Sequence, residues 1–443
     1  MSHVDQLGAY AQGLCAEALP DVVLERMACC LLYNLCLGRA AADPAHPVQH
    51  AIRAVCTANG MATLLGGGTR SALDAAAANA AAITLRGQND THAAMNGHLG
   101  CLVIPAVLAL AQEQGADAST FVAALVAGYE VAPRIAEGMA AAAMERGWRG
   151  TSLFGIFGVA AACARLLKCD ADQIANALSL SANFAGGLVR CYAEGTSEWA
   201  VQVAHAARSG LNAALLAHHG MKAASEILEG KGGFYRAIGG ATRPISLEGW
   251  RSEEVSFKPF PGCAINQVPT AVLLDLLRQE GLRAEQVEDI ELHLHPSHAA
   301  YPGVERHGPF DSSAAAIMSA PFMLQLALEH GGLLQTDFAN RYSADPVHAR
   351  SKQVRVRADE ALAPFECRLG VHLLDGRRFS ASSTGTQTLV MGWEQTVALT
   401  RGLANENPEA FSETDHERLV LAVRRCVSQR DAKALPDLFA ALT

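Results

Sequence analysis

A polar stretch enclosed by two apolar runs constrains the fold of this chain more than any other feature. An alanine-rich run at 73–85 and an apolar run at 102–111 each have the length and composition of a buried helix, and N-D-T-H-A-A-M-N-G-H-L-G at 89–100 lies between them. Gly97 and Gly100 interrupt the helical pattern. We therefore predict a loop that leads from one packed helix into the next.

This loop carries one carboxylate, Asp90, one hydroxyl, Thr91, and two imidazoles, His92 and His98. His98 would lie near the N-terminus of the following helix, where the helix dipole disfavours a charged imidazolium. A neutral imidazole there could accept a proton near pH 7. The other interpretation is a capping loop with solvated histidines, and the residues alone leave both open.

Composition favours a mainly helical protein. Half of the residues are hydrophobic, 18% are charged and only 6% are aromatic, which fits helices in close contact and an apolar surface left for self-association. Helical periodicity covers most of residues 1–60 and recurs along the chain. We predict helices at 19–37, 117–139, 147–167, 170–184 and 195–220, and again from 394 to the end.

The segment at 147–167 is unusual because glycine and alanine fill much of an apolar helix. Gly155 and Gly158 at three-residue spacing indicate that this helix packs its backbone against a neighbour. Its first turn is expected to expose Arg149 and Thr151, a suitable place for an anion.

After residue 240 the pattern changes. Residues 287–295 and 353–357 alternate apolar and polar side chains as strands do, and 366–381 has the pattern of a hairpin that turns at Asp375-Gly376. Helical patterns at 266–279 and 314–328 lie between them. We predict a mainly α protein with an α+β part: a large all-helical domain formed by both chain ends (1–244 and 396–443) and a smaller α+β domain (245–395).

Charge and hydropathy exclude several classes of partner. The formal net charge is −9, and no Lys/Arg cluster extends beyond pairs, so no nucleic-acid partner is expected. The longest apolar run, 151–163, is too short to span a bilayer, so no membrane partner is expected either. The chain opens without a signal-peptide pattern, and its twelve cysteines include no C-x-x-C pair. We expect reduced, buried thiols in a cytoplasmic protein.

Four segments, taken together, resemble the MmgE/PrpD family: 79–100, 147–167, 195–220 and K-P-F-P-G-C at 258–263. The resemblance implies a helical large domain, a smaller α+β domain, an active site between them, and a homodimer. Known members are 2-methylcitrate dehydratase, cis-aconitate decarboxylase and iminodisuccinate epimerase. It further implies a small di- or tricarboxylate substrate and neither a metal nor an organic cofactor.

The resemblance also implies particular functional residues. The family's D-D-T-H…H-P-G motif falls on N-D-T-H at 89–92 and H-L-G at 98–100, so Asp90 and His98 match functional positions while Asn89 and Leu99 depart from the motif. Lys258 matches the lysine of the family's K-x-x-P segment. Such a lysine can hold a carboxylate or, if it is desolvated, exchange a proton.

Three departures bear on the reaction. Arg149 stands where dehydratase- and decarboxylase-type members have a histidine, and Trp199 stands where they have a lysine. Cys263 replaces a histidine of the mammalian-type decarboxylase. Arginine grips carboxylates but cannot act as a general acid or base. The sequence therefore predicts that this chain is not a faithful cis-aconitate decarboxylase, and it leaves a standard methylcitrate dehydratase in question.

We accordingly predict two groups of site residues. The catalytic candidates are Asp90, His98, Lys258 and Cys263, and the substrate-binding candidates are Thr91, His92, Arg149, Thr151 and Trp199. Each has a structural alternative: a buried hydrophobic thiol for Cys263, a surface ion pair for Arg149, a pocket wall for Trp199 and a backbone-bonded loop carboxylate for Asp90.

A metal site is not predicted. His293, His295 and His298 have a spacing that could hold zinc, but no carboxylate or thiolate is obviously paired with them.

Three functions remain open. The first is a lyase of the 2-methylcitrate dehydratase type, which abstracts a proton next to a carboxylate of a small di- or tricarboxylate. The second is an epimerase or isomerase of an iminodisuccinate-like dicarboxylate, because two-base proton transfer needs fewer groups than elimination does. The third is a non-catalytic homologue that binds carboxylates.

Overall fold

The fold is mainly helical, as predicted. The computed structural model describes residues 1–343, 345–383, 385, 389–429, 431 and 433–442. The helices before residue 245 are His3–Gly13, Asp21–Ala41, Pro47–Val55, Ala72–Thr84, Gly100–Gln114, Ala118–Ala136, Ala140–Glu145, Gly150–Leu166, Ala171–Ala182, Arg190–Glu194, Glu198–His218 and Phe234–Ala237.

Most helix starts follow from residues with capping side chains. Ser71 accepts a hydrogen bond from the amide of Asp74, Asp117 from Thr120, and Asp170 from Gln173. The loop predicted between the two apolar runs is present, and Gly100–Gln114 follows it. The helix predicted from residue 195 begins only at Glu198, because Gly195 adopts a left-handed conformation with φ of 70°.

The glycine-rich helix Gly150–Leu166 packs its backbone against a neighbour, as its spacing predicts. A Cβ on Gly158 would lie 2.8 Å from the carbonyl oxygen of Gly128, and one on Gly128 would lie 2.7 Å from a methyl group of Val103. Glycine is required at both positions because the crossing helices leave no room for a side chain.

The α+β part contains a four-stranded mixed sheet. Val287–Leu294 pairs in parallel with the edge strand Val354–Ala358 and antiparallel with Cys367–Leu373, which pairs antiparallel with Arg378–Ser383. The hairpin turn lies at Asp375-Gly376 as predicted, where Gly376 has a φ of 88°. The helices of this part are Gln267–Glu280, Pro296–Ala299, Ser313–Ala316, Ala320–His330, Gln335–Arg341 and Val347–Ser351.

One predicted helix is interrupted. The pattern at 314–328 predicts a continuous helix, but the chain forms two, Ser313–Ala316 and Ala320–His330. Ser319 caps the second helix by accepting a hydrogen bond from the amide of Phe322, and Pro321 occupies its first turn. Proline fits that turn without losing a helical hydrogen bond, whereas it would break a continuous helix here.

Both chain ends contribute to one large hydrophobic core. The final helical segments are Trp393–Glu406, Glu413–Val423, the π-helical turn Arg424–Ser428, and Leu435–Ala440. Their apolar side chains, such as Leu403, Leu419 and Leu438, pack in the same cluster as the N-terminal helices. A separate core lies on the sheet. The fold class is thereby confirmed, and the exact domain boundaries at 244/245 and 395/396 stay a prediction.

Two further features concern the cysteines and the helices as a set. All twelve cysteines have free thiols, and ten of them are buried. Each helix in the described part of the chain is too short or too polar to cross a membrane.

We expect Gly158→Val to lower the free energy of unfolding by about 1–3 kcal/mol, because the new side chain would overpack the contact with Gly128. Urea denaturation would measure the change. Gly402→Ala is the matched control: Gly402 is an exposed helix position with nothing within 4 Å of its would-be Cβ, so this substitution should stabilise the helix by about 0.5–1 kcal/mol. Equal stability of Gly158→Val and the unsubstituted protein would contradict the packing argument.

Candidate active site

A cavity of about 640 Å³, including its open mouth, lies where the helical part meets the α+β part. Seven of the nine predicted site residues line it: Thr91, His98, Arg149, Thr151, Trp199, Lys258 and Cys263. Other side chains, which were not among the predicted site residues, also line the cavity, among them Asn89, Asn96, Tyr192, Ile265, Tyr301, Ile317 and Met318.

A short antiparallel bridge brings the two halves of the site together. The amide of Thr91 donates to the carbonyl of Ser256 at 2.8 Å, and the amide of Ser256 donates back to Thr91 at 3.0 Å. Ser256 is two residues before Lys258. This bridge therefore places the polar loop beside the lysine, although 160 residues separate His98 from Lys258 in the chain.

The backbone of Lys258 is fixed by a buried tyrosine. The Tyr33 hydroxyl accepts a hydrogen bond from the Lys258 amide at 3.2 Å and donates one to its carbonyl at 2.8 Å. The Gln88 side chain donates a second hydrogen bond to the same carbonyl. Such fixed backbone geometry sets where the ammonium can reach.

The hydrogen bonds of His98 define its tautomer. Nδ1 lies 2.9 Å from the carbonyl oxygen of Asp90 and 3.2 Å from the Thr91 hydroxyl, which itself donates to the Asn89 carbonyl. A carbonyl can only accept, so Nδ1 carries the hydrogen and Nε2 keeps its lone pair. The basic nitrogen of His98 therefore points to Lys258, whose Nζ lies 3.5 Å away.

The imidazole of His98 is held neutral. Its pKa lies well below the usual value because it is buried, and the positive charges of Lys258 and Arg149 lower it further. The sequence also predicts a neutral His98, but it attributes the lowered pKa to the helix dipole. In the structure, burial and the charges of Lys258 and Arg149 lower this pKa. Neutral His98 is a ready proton acceptor.

Lys258 is almost fully buried, and burial lowers its pKa to about 8. Besides its contact with His98, Nζ donates to the carbonyls of Gly87 at 2.7 Å and Gly262 at 3.2 Å. Its three hydrogens thus have three acceptors within the protein. With a pKa this close to neutrality, Lys258 can both give and take a proton under ordinary conditions.

Arg149 and Thr151 lie at the start of helix Gly150–Leu166 and are buried, not exposed as predicted. Nη1 of Arg149 donates to the carbonyl of Trp199 at 2.6 Å and to Gln202 at 3.4 Å, and its guanidinium lies over the ring of Tyr192. Thr151 accepts a hydrogen bond from the amide of His98 at 3.3 Å. Both residues nevertheless line the cavity, and Trp199 forms one of its walls.

Cys263 and two tyrosines complete the cavity. Cys263 is half-buried, and burial raises the pKa of its thiol even though Lys258 opposes this. Burial raises the pKa of Tyr192 to about 12 and that of Tyr301 well above its usual value. Tyr192 and Tyr301 lie outside both the polar loop at 89–100 and the K-P-F-P-G-C segment at 258–263. The only sequence signal for them is that tyrosine is rare, with seven in the chain.

Asp90 does not line the cavity. Its carboxylate is fully buried, and it accepts hydrogen bonds from the amide of Gly100 at 2.9 Å and the Tyr129 hydroxyl at 2.5 Å. Burial raises its pKa. The carboxylate therefore fixes the loop that presents His98, and the catalytic role of Asp90 stays a prediction.

His92 also lies outside the cavity lining. Its Nε2 is 3.0 Å from the carbonyl oxygen of Arg251 and 3.6 Å from the Glu254 carboxylate. Its imidazole is fully buried, and these contacts hold the loop against residues 251–254. The substrate-binding role predicted for His92 has no geometric support.

Of the three histidines with zinc-like spacing, His295 and His298 make an edge-to-face contact, with their ring centroids 6.1 Å apart. His293 lies within 4 Å of Glu291 and Asp359, whereas His298 packs against the ring of Phe365. Within the described residues, no three metal-ligating side chains form a group.

Comparison with known proteins identifies the family. The model of the MmgE/PrpD N-terminal domain matches residues 5–245, more than half of the chain. This chain belongs to the MmgE/PrpD family. Two relatives of this MmgE/PrpD protein are fungal. The cis-aconitate decarboxylase of Aspergillus terreus is 27% identical over 74% of the chain and 72% of its own length. The cis-aconitate decarboxylase-like protein oryM of Aspergillus oryzae is 34% identical over 33% of the chain, and the match spans 32% of its length.

We expect Lys258→Met to raise the pKa of His98, because two positive charges lower that pKa and the variant removes the one with the larger effect. Arg149→Met should raise it by a smaller amount. Two-dimensional ¹H–¹⁵N spectra of labelled histidine, recorded between pH 4 and 8, would follow the titration. An unchanged or lower His98 pKa in Lys258→Met would mean that the two side chains are not neighbours.

Proposed function

We propose that this MmgE/PrpD protein is a cofactor-independent lyase that removes a proton next to a carboxylate of a small di- or tricarboxylate and eliminates water. The observation that supports it is the 3.5 Å contact between Nε2 of His98 and Nζ of Lys258 at the wall of the cavity. A base and an acid so placed, beside a cation for carboxylates, are what this reaction requires.

The two side chains are in the protonation states that the reaction needs. Near pH 7 His98 is neutral and Lys258 is largely protonated, since burial lowers the Lys258 pKa only to about 8. When a substrate lies between the two groups, the Lys258 hydrogen that points at His98 turns to the substrate hydroxyl and frees the Nε2 lone pair. His98 then takes the proton from carbon, the electrons of that C–H bond form the double bond, and the hydroxyl leaves as water with the proton from Lys258. The imidazolium can then return its proton to the neutral amine across the same contact.

Carboxylate binding rests on the start of helix Gly150–Leu166. Arg149 supplies a permanent positive charge, and the helix N-terminus adds a favourable dipole for an anion. A carboxylate held there would lie in the field of Lys258 as well. These positive charges stabilise the enolate-like charge that develops when the neighbouring carbon loses its proton.

The placement of the acid and base favours a lyase over an epimerase. Two-base epimerisation needs a proton donor and an acceptor on opposite faces of one carbon. His98 and Lys258 touch each other, so they act on the same face of a bound substrate. An epimerase would need Cys263 or a tyrosine opposite them, and burial raises the pKa of each of those groups.

Asp90 is proposed as a positioning residue. Its carboxylate anchors Gly100 and its carbonyl fixes the tautomer of His98.

We also propose, from the family, the domain division at residues 245 and 395 and a homodimeric assembly.

A protein that only binds carboxylates does not need a base and an acid in contact. The contact between His98 and Lys258 therefore favours an enzyme over a non-catalytic homologue.

We expect His98→Gln to lower kcat by about 10²–10⁴-fold while the protein stays folded, because general-base catalysis contributes that much. The assay is dehydration of 2-methylcitrate, a tricarboxylate, and of 2-alkyl-2-hydroxysuccinates, which are dicarboxylates, with uptake of solvent deuterium as a second readout. His205→Gln is the control, because His205 is an exposed histidine outside this cavity. Substrate binding without turnover or deuterium exchange in the unsubstituted protein would favour the non-catalytic function.

We expect kcat/KM to fall as the pH rises through about 8, because the reaction needs the ammonium form of Lys258. On the acid side activity should persist through pH 6.5, because the pKa of His98 lies well below that value. A pH–rate profile from 5 to 10 would test both limbs. Lys258→Arg should lose most of the activity at every pH, because arginine cannot give up a proton, and a flat wild-type profile between 7 and 10 would contradict the assignment.

A further inference from the structure

The charges that line the cavity limit the charge of its ligand. Among the described lining residues the ionisable nitrogen groups are those of His98, Arg149 and Lys258, and no carboxylate is present. His98 is neutral, which leaves two positive charges. Each buried anion without a partner carries a large desolvation cost. The two positive charges of Arg149 and Lys258 therefore balance a ligand with two negative charges, whereas a ligand with three would keep one negative charge without a partner.

The two cations differ in the hydrogens that they can offer to a carboxylate. The three hydrogens of the Lys258 ammonium are directed at Gly87, Gly262 and His98, and the one at His98 is the proton that the proposed reaction gives to the leaving hydroxyl. Arg149 uses Nη1 for Trp199 and Gln202 and lies beside the Tyr192 hydroxyl, so its Nε and Nη2 groups are the ones that can turn toward a carboxylate. Arg149 is thus the direct anchor, while Lys258 acts on a second carboxylate chiefly through its charge.

Another part of the cavity is apolar. Trp199 is 5% exposed and contributes its wall beside Arg149. Ile265, Ile317 and Met318 also line the cavity. Indole and aliphatic side chains cannot replace the water around a third carboxylate, but they gain free energy by contact with an alkyl group.

We infer that the substrate carries two carboxylates and an apolar substituent, which packs against Trp199, and that tricarboxylates are disfavoured. This inference rests on the proposed function and narrows its substrate class to alkyl-substituted dicarboxylates. It follows from the charge and shape of the cavity, and it makes Trp199 and Arg149 the residues that determine specificity.

Two saturated acids separate the substrate classes cleanly. Propane-1,2,3-tricarboxylate and 2-isobutylsuccinate have the same number of non-hydrogen atoms, and they differ only in that an isopropyl group replaces the third carboxylate. Neither has a hydroxyl or a double bond, so neither can undergo elimination. Isothermal titration calorimetry at pH 7 should show that the unsubstituted protein binds 2-isobutylsuccinate tighter by about tenfold or more.

Variants of the wall and of the anchor test the assignment further. Trp199→Lys adds a positive charge and removes apolar surface, so it should shift the preference toward the tricarboxylate by about tenfold. Trp199→Phe keeps an apolar wall and should retain the original preference. Arg149→Gln should weaken both acids alike, because both need the anchor.

The outcomes separate the inference from the proposed function. Equal or tighter binding of the tricarboxylate by the unsubstituted protein would overturn the inference and leave the acid-base chemistry of His98 and Lys258 intact. Failure of both acids to bind would contradict the inference and the proposed lyase together. Because the decisive comparison uses the unsubstituted protein, it stands even if Trp199→Lys does not fold.

Discussion

The two-residue bridge between Thr91 and Ser256 is the interaction on which the proposed chemistry depends. It joins a loop that precedes helix Gly100–Gln114 to the segment that leads into the α+β part. Together with the hydrogen bonds from Lys258 to Gly87 and from Gln88 to the Lys258 carbonyl, it holds the imidazole of His98 within reach of the ammonium of Lys258. The bridge consists of main-chain hydrogen bonds, so its geometry depends little on which side chains occupy the two positions. The buried contacts of Tyr33 and Tyr129 then fix each partner further.

Burial prepares these two ordinary side chains to act as a base and an acid. In water a lysine ammonium has a pKa of about 10.4 and gives up its proton only weakly near pH 7. Inside the cavity burial lowers both pKa values, and it brings that of lysine to about 8. The mutual repulsion of two positive charges ensures that one of the pair stays neutral. The protein thereby obtains a proton acceptor and a proton donor from a single contact.

Most of the fold could be predicted from the sequence because it depends on local patterns. Caps such as Asp117 and Asp170, the turn at Gly376 and the alternating strands all show their structure within a few residues. The site was predictable only in part. Family likeness pointed to His98 and Lys258, whereas Tyr192 and Tyr301 enter the cavity through packing between distant segments, which no local pattern reveals. The same limit explains Asp90 and His92, whose positions in the motif do not tell which way their side chains point.

The contact between the polar loop and helix Gly150–Leu166 has a consequence for how such proteins diverge. A Cβ on Gly97 would lie 2.7 Å from the amide nitrogen of Thr151, and one on Gly150 would collide with the carbonyl of Met95. The loop and the helix start are therefore locked together without help from the side chains of Arg149, Trp199 or Cys263. Substitutions at those three positions would therefore leave His98 and Lys258, the proposed proton-transferring pair, in place. Substitutions in the cavity wall can thus change which substrate binds while the positions of the proposed acid and base are retained.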